Sequence, residues 1–182
     1  MAADLNPPRP VVRDVVHRAL LEDLLPVGDV TSALLPADLR ATASFVSRRD
    51  GVLAGTAAAT ETFAQVDPAL EVTWRCADGD EVGPGTTLGT VSGPLAPLLT
   101  AERTALNFLG HLSGIATTTR RFVRAAAEGG SARVWDTRKT TPGLRLLEKA
   151  AVRAGGGANH RGNLSEWVML KDNHLALLGV AE

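Results

Sequence analysis

Two segments of the sequence that have the composition of buried strands are followed by charged side chains. The first, "ARVWD", runs straight into "TRK". The second, "VMLK", ends in a lysine, and a glycine-rich segment ending in "NHR" lies just before it. Ligands of parallel α/β structures bind at the carboxyl ends of the strands. We therefore expect five cations that are far apart in sequence to meet at one rim, namely Arg138, Lys139, His160, Arg161 and Lys171.

A rim of this kind suits a ligand with several negative charges. Arginine offers a planar fork that binds carboxylate or phosphate through two hydrogen bonds, whereas lysine acts as a point charge. Each charge-assisted bond contributes about 1.5–3 kcal/mol. Pro142 and Gly143 follow the first cations and predict the start of a helix, whose free N–H groups and dipole also favour anions.

Each of these residues also has a plainer structural interpretation. A single arginine or lysine in a loop is most often a solvated charge, and a single histidine is more often structural than catalytic. By pattern alone Arg103 is a surface charge on a helix, and His111 is a structural residue. Asp172 and Asn173 are expected to cap the next helix. The "GGG" at 155–157 permits close backbone approach but has neither the Walker nor the GxGxxG spacing.

The elements that precede this rim mix helices and strands. "VVRDVVHRALLEDLL" has helical spacing and should end at Pro26 and Gly28, and a small helix is predicted over residues 56–65. Strands are predicted in "ATASFVSRRDGVLAG", "LEVTWRC" and "ADGDEVGPGTTLGTVSG", the last of them ending at Val91. We predict an α+β domain over residues 1–105. The loop between the first helix and the first strand has capping side chains in Asp29, Thr31 and Ser32.

The remaining residues, 106–182, are predicted to form a second, α/β domain. A helical run from about residue 97 should be capped at Thr100, interrupted at Ser113-Gly114 and ended by Gly129-Gly130. "ARVWD", "GLRLLEKAAVRAG" and "WVMLKD" then give the order strand, helix, strand. This order predicts a βαβ unit with parallel strands.

Composition excludes several classes of protein. Of the 182 residues 45% are apolar, enough to fill a core, and 19 basic side chains nearly balance 20 acidic ones. No overall field therefore attracts nucleic acid or a membrane surface. Cys76 is the only cysteine, which rules out an internal disulfide and a cysteine metal cage. We see no signal peptide and no apolar stretch of membrane-spanning length, so we expect a cytoplasmic protein.

Three motifs together resemble the quinolinate phosphoribosyltransferase family, also called nicotinate-nucleotide pyrophosphorylase (carboxylating). They are "AERTALNFLGHLSGIAT", "DTRKTTPGLRLLEKAAVRAGGGANHR" and "LKDNH"; "EDLLPVGDVTS", "DGVLAG" and "DGDEVGPG" are similar to that family's N-terminal domain. The resemblance implies an N-terminal α/β sandwich followed by an open α/β barrel. It implies that quinolinate and phosphoribosyl pyrophosphate react to nicotinate mononucleotide, pyrophosphate and CO2 for NAD synthesis, with Mg²⁺ assisting the pyrophosphate.

The resemblance also assigns roles to residues. It implies that the quinolinate pocket contains the matching residues of "ERTALN", "TRK", "NHR" and "LKD", with Lys139 and Lys171 also serving catalysis. It implies a homodimer, because in the family the arginine of "ERTALN" comes from the neighbouring subunit. The implied substrate-binding residues are Arg103, Thr137, Arg138, Lys139, His160, Arg161 and Lys171.

The sequence departs from the family at its end, "NHLALLGVAE", where family members continue. The acidic residues near the ribose and Mg²⁺ and the phosphate-binding loops have no counterpart here. Two strands and one crossover helix cannot close a barrel, so we expect a fragment with an incomplete active site and little or no turnover. The alternatives are a relative of the molybdenum-transport-associated type acting on another base, a shortened homologue, or a non-catalytic binding or interaction protein. A biotinyl- or lipoyl-type module is disfavoured because no lysine lies in the "DGDEVGPG" turn.

Overall fold

The structure is a computed structural model that describes residues 6–178. Its helices are α1 (Arg9–Leu24), α2 (Thr56–Val66), α3 (Leu95–Glu128), α4 (Arg145–Ala154) and α5 (Asp172–Leu178), with a short 3-10 helix over Ser32–Leu34. Its strands are β1 (Arg40–Val46), β2 (Gly51–Val52), β3 (Glu71–Trp74), β4 (Glu81–Val82) and β5 (Thr87–Pro94). None of the described helices is long and apolar enough to cross a membrane.

The N-terminal half contains two small antiparallel sheets. β5 is the central strand of the first, with β1 on one side and β3 on the other, and the second consists of β2 and β4. The segments predicted as strands are confirmed, but β1 and β2 lie in different sheets and β5 continues past Val91 to Pro94. Leu88 and Val91 of β5 are buried, and the ring of Phe45 on β1 stacks on Trp74 of β3 with centroids 4.9 Å apart.

The helix α3 takes part in both hydrophobic cores. One core packs the first sheet against α2 and α3 through residues such as Phe63 and Leu109. The other joins α1, α3 and α4 through residues such as Val16, Leu112 and Leu147. Because α3 has a buried face toward each core, it links the N-terminal sheet to the elements that follow.

The predicted break of this helix at Ser113-Gly114 is wrong. Ser113 Oγ accepts a hydrogen bond from the backbone N–H of Ala54 (3.0 Å) and lies 3.2 Å from the carbonyl oxygen of Ala54, so the residue ties the helix to the loop before α2. A glycine inside a helix costs about 1 kcal/mol, which burial of the helix on two sides outweighs. Thr100 is likewise not a cap, because the helix begins at Leu95. The predicted end at Gly129-Gly130 is confirmed.

The C-terminal half has a single parallel bridge where two parallel strands were predicted, and "ARVWD" forms no strand beyond that bridge. Trp135 forms a parallel bridge with Ala158, and α4 connects the two positions. The predicted strand "WVMLKD", residues 167–172, is wrong: a strand needs a neighbouring edge, no described strand pairs with residues 167–171, and Asp172 already belongs to α5. The second parallel position lies instead in "GANH", just after the glycine run. The described residues thus give an α+β N-terminal part followed by an open, incomplete α/β unit.

The domain boundary at residues 105 and 106 stays a prediction. It falls inside α3, which runs without interruption from Leu95 to Glu128.

Candidate functional site

The turn between Trp135 and α4 has the first predicted cations. The Thr137 hydroxyl accepts a hydrogen bond from the backbone N–H of Lys139 (3.0 Å), which closes a tight turn. Thr137 and Lys139 are exposed, whereas Arg138 is half-buried. The Nε atom of Arg138 is buried and has no hydrogen-bond partner among the described residues. A buried N–H donor without an acceptor is costly, so this turn is suited to an acceptor supplied by a ligand.

A buried ion pair joins this turn to the loop that contains His160. The Asp136 carboxylate lies 2.5 Å from Lys149 Nζ, and the two side chains are 7% and 4% exposed. The same carboxylate oxygen accepts the backbone N–H of His160 (2.8 Å), and Lys149 Nζ also donates to the His160 carbonyl (2.9 Å). The two loops predicted to share a rim are therefore adjacent.

Asn159 adds further hydrogen bonds to this network. With its amide nitrogen turned toward the acceptors, Asn159 donates to Asp136 Oδ2 (2.9 Å) and to the carbonyl oxygen of Lys149 (3.0 Å). Its amide oxygen then accepts from Arg153 (2.8 Å). Amide orientation is assigned from such partners, and here a single orientation satisfies both ends.

Arg161 is buried and bonded within the chain. Its guanidinium donates to the Trp167 carbonyl (3.1 Å) and to the Met169 sulfur (3.4 Å). These bonds hold the extended segment that was predicted as a strand. A guanidinium has five N–H donors, so two bonds leave donors for an anion.

His160 and Arg161 line one cavity of about 320 Å³. Lys149, Arg153 and Glu166 line it as well, and the Glu166 carboxylate accepts the backbone N–H of Gly162 (2.8 Å). The ring of His160 meets that of Trp167 edge-on, with centroids 4.7 Å apart. The cavity therefore has more cationic than anionic side chains on its walls.

Two of the predicted site residues are exposed and form no bond to this network among the described residues. Arg103 is exposed on α3. Lys171 is exposed at the start of α5, where its backbone N–H donates to His174 Nδ1 (3.1 Å) and its carbonyl accepts the His174 N–H (2.7 Å). The cap of this short helix is thus made by His174 rather than by the predicted Asp172 and Asn173.

The sequence analysis did not identify the side chains that bond to the turn around Arg138 and keep it in place. Glu148 Oε2 accepts the backbone N–H of Thr141 (3.1 Å), and its Oε1 lies 2.9 Å from His111 Nε2. Burial acts to raise the pKa of Glu148, but hydrogen bonds from Thr141 and His111 together lower it below its ordinary value. Arg145 also crosses between the loops, bonding Thr140 Oγ1 (3.1 Å) and the Gly162 carbonyl (3.2 Å).

One signal in the sequence could have revealed these residues. Leu147, Ala150 and Ala151 form the buried stripe of α4, and Glu148 and Lys149 stand between them. Charged residues inside an apolar stripe are rarely buried unless they have partners. Helix α4 itself begins at Arg145, three residues after Pro142, so its first free N–H groups are farther from Arg138 than predicted.

No group of three or more His, Cys, Asp or Glu side chains in residues 6–178 is arranged to hold a metal ion. Mg²⁺ bound with a phosphorylated substrate usually takes only one or two protein carboxylates, the other ligands being phosphate oxygens and waters.

Comparison with known proteins gives consistent matches over both halves. Residues 29–113 match the family model described as quinolinate phosphoribosyl transferase, N-terminal domain, and residues 115–182 match the corresponding C-terminal domain. The chain is 45% identical over 169 residues to quinolinate phosphoribosyltransferase [decarboxylating] 1b of Nicotiana tabacum, which covers 92% of the chain and 47% of that protein. It is 42% identical over 168 residues to a probable nicotinate-nucleotide pyrophosphorylase [carboxylating] of Bacillus subtilis, covering 57% of it.

Solved structures match as well. The nicotinate-nucleotide pyrophosphorylase from Francisella tularensis superposes with a TM-score of 0.89 at 37% identity, over 94% of this chain and 60% of that one. The chain thus spans about half the length of the first curated relatives it matches.

Proposed function

Because the chain belongs to the quinolinate phosphoribosyl transferase family, we propose that it supplies the quinolinate-binding part of a phosphoribosyltransferase. One observation carries this proposal. The turn at Arg138 and the loop at His160 are fastened side by side through Asp136 and Lys149, and the buried Nε of Arg138 lacks an acceptor among the described residues. A dicarboxylate would supply such acceptors.

The proposed reaction joins quinolinate to phosphoribosyl pyrophosphate in NAD biosynthesis. The ring nitrogen attacks the anomeric carbon, and the bond to pyrophosphate breaks. The adjacent carboxylate leaves as CO2, its electron pair stays on the ring carbon beside the positive nitrogen, and that carbon takes up a proton. Catalysis of this kind rests on positioning and on neutralising charge, so it needs no protein nucleophile.

The cations have distinct proposed roles. Arg103, Arg138 and Arg161 bind the two carboxylates of quinolinate, and Thr137 and His160 help to orient it. Lys139 and Lys171 bind a carboxylate or the phosphates and stabilise the charge that develops in the reaction.

Three further features of the proposal concern the whole protein. We propose a homodimer in which Arg103 reaches the partner's pocket, in keeping with the exposed position of Arg103 on α3. Mg²⁺ would accompany the pyrophosphate of the second substrate, and residues 6–178 contain no group of three or more His, Cys, Asp or Glu side chains that could hold it. A cytoplasmic location also remains a proposal, since some relatives are named mitochondrial or chloroplastic.

Calorimetry of the 182-residue chain with quinolinate tests the binding proposal. We expect binding that weakens by about one to two orders of magnitude in Arg138→Met, because a charge-assisted bond of about 1.5–3 kcal/mol is lost. Nicotinate, which has one carboxylate fewer, should bind more weakly than quinolinate.

The matched control is Arg121→Met, since Arg121 is an exposed arginine on α3. That variant should bind like the unsubstituted chain. A chain shown to be folded by circular dichroism that does not bind quinolinate would contradict the proposal. It would favour a relative acting on another base or a non-catalytic protein.

A further inference from the structure

Helix α4 has two adjacent buried side chains of opposite charge. Glu148 is 8% exposed and Lys149 is 3% exposed, on a helix of 10 residues. Removing an ion from water costs several kcal/mol even after relaxation, and only well-placed partners offset that cost. The hydrogen-bond partners of these two residues therefore show which part of the chain helix α4 holds in place.

Lys149 holds the beginning of the cationic turn. Its ammonium bonds to the Asp136 carboxylate at 2.5 Å and to the His160 carbonyl at 2.9 Å. Asp136 in turn accepts the backbone N–H of His160 at 2.8 Å. One lysine thus fixes the start of the turn and the neighbouring loop at the same time.

Glu148 holds the end of the same turn. One carboxylate oxygen accepts the Thr141 backbone N–H at 3.1 Å, and the other is 2.9 Å from His111 Nε2 on α3. Residues one apart on a helix point in directions about 100° apart, so neighbouring side chains can reach two separate ends of a turn. Arg138 and Lys139 lie between the two anchored ends.

We propose that Glu148 and Lys149 are positioning residues that clamp both ends of the turn from Asp136 to Thr141 and so aim Arg138 and Lys139 at the anionic ligand. This inference rests on the proposed function for the nature of the ligand. If the two residues had a purely structural role, replacing them would lower the stability of the fold without any further effect on the position of Arg138 and Lys139.

The clamp is tested first without any ligand. In ¹⁵N NMR spectra, the buried Nε–H of Arg138 should exchange slowly with water. Lys149→Met and Glu148→Met each release one end of the turn, and each should speed this exchange by about tenfold or more, because local opening then exposes the donor. The matched control is Val16→Ala, which removes fully buried apolar volume from the core that α4 shares.

Quinolinate affinity is then measured in the same variants under conditions where all are folded. We expect Lys149→Met to weaken binding about ten- to a hundredfold, since a small misplacement of positioned groups has effects of that size. Val16→Ala should leave affinity unchanged despite its lower stability. The double variant Asp136→Asn/Lys149→Met removes both buried charges, so it should regain stability without regaining affinity.

The outcomes separate this inference from the proposed function. Unchanged Arg138 exchange in both clamp variants would overturn the clamp, as would affinity that follows stability in every variant. If the unsubstituted chain does not bind quinolinate at all, the proposed function fails. In that case the exchange rates alone decide whether the clamp exists.

Discussion

At the scale of single residues, Asp29 accepts four hydrogen bonds. One oxygen accepts the backbone N–H groups of Thr31 and Ser32, each at 3.0 Å, and the other accepts the hydroxyls of Ser32 (2.5 Å) and Thr100 (2.9 Å). Hydrogen bonds from Ser32, then from Thr100, hold the pKa of Asp29 at about 2, below its ordinary value of 3.8. The sequence predicted capping here, and the carboxylate also fastens the loop to α3.

This carboxylate gives a prediction about acid stability. The pKa is lower in the folded chain, so the stabilisation is full above the ordinary value of 3.8 and is lost as the pH falls toward about 2. Asp29→Asn should therefore be less stable than the unsubstituted chain near neutral pH, and the difference should shrink across that acid window. Urea unfolding at a series of pH values measures it. A difference that stays constant with pH would contradict the prediction.

Single residues also show where sequence reasoning ends. The strand-end rule identified the turn at Arg138, because it depends only on the order of elements. For the second strand it pointed to Lys171 at the end of "VMLK", whereas the structure has its second parallel position at Ala158, directly before the loop of His160. The rule could not identify Lys149 or Glu148, since burial of a charge depends on partners brought by tertiary packing. The bonds of Arg161 to Trp167 and Met169 could not be predicted either. "WVMLKD" has the composition of a strand, and the sequence does not show that this segment has no neighbouring strand to pair with.

At the scale of elements, the glycines after α4 determine how closely it approaches α3. A Cβ added at Gly155 would lie 2.5 Å from the Ala116 carbonyl oxygen and 2.6 Å from Thr119 Cβ. A Cβ at Gly157 would meet the same threonine at 2.9 Å. The sequence analysis expected that the "GGG" segment permits a close approach of the backbone, and the structure shows that its close neighbour is helix α3.

Gly155→Ala should therefore destabilise the chain. The backbone of Gly155 has an ordinary φ of −70°, so alanine causes no backbone strain there and any loss of stability comes from the steric clash. Overpacking of this kind costs about 1–3 kcal/mol. Urea unfolding measures it. The matched control is Gly114→Ala, the same change at an exposed position inside α3 with no atom within 4 Å. That variant should gain about 0.5–1 kcal/mol from helix propensity. Equal effects at the two positions would show that no close contact exists.

The type of each of these secondary-structure elements could be predicted from the sequence better than its length. The amphipathic pattern of α1 and the alternation of β3 were enough to predict these two elements, since one face of α1 is buried and one face of β3 is half-buried. The length of α3 was not predictable from Ser113 and Gly114, because small residues break a helix or pack it closely depending on what lies beside them. Here Ser113 bonds to the loop before α2, and the helix continues.

At the scale of the whole molecule, the two cores share α3, which also contains Arg103. That side chain is exposed, and it is the one predicted carboxylate-binding arginine outside both cation-bearing loops. In the proposed homodimer, two-fold symmetry would place the Arg103 of each protomer in the other's pocket, and the same contact would complete both sites.

Mixing two variants tests this arrangement. Arg103→Met and Arg138→Met should each bind quinolinate weakly. In dimers formed by unfolding and refolding an equal mixture, half are mixed, and each mixed dimer has one site with both arginines. About a quarter of all sites should then regain full affinity in calorimetry.

The two arrangements of Arg103 give opposite results in this mixture. If the arginine acted within its own protomer, every site in a mixed dimer would still lack one of the two arginines, and no high-affinity site would appear. Sedimentation at the same concentration shows whether the dimer forms. A monomer that binds quinolinate fully would contradict the shared site, because Arg103 would then have no partner pocket to enter.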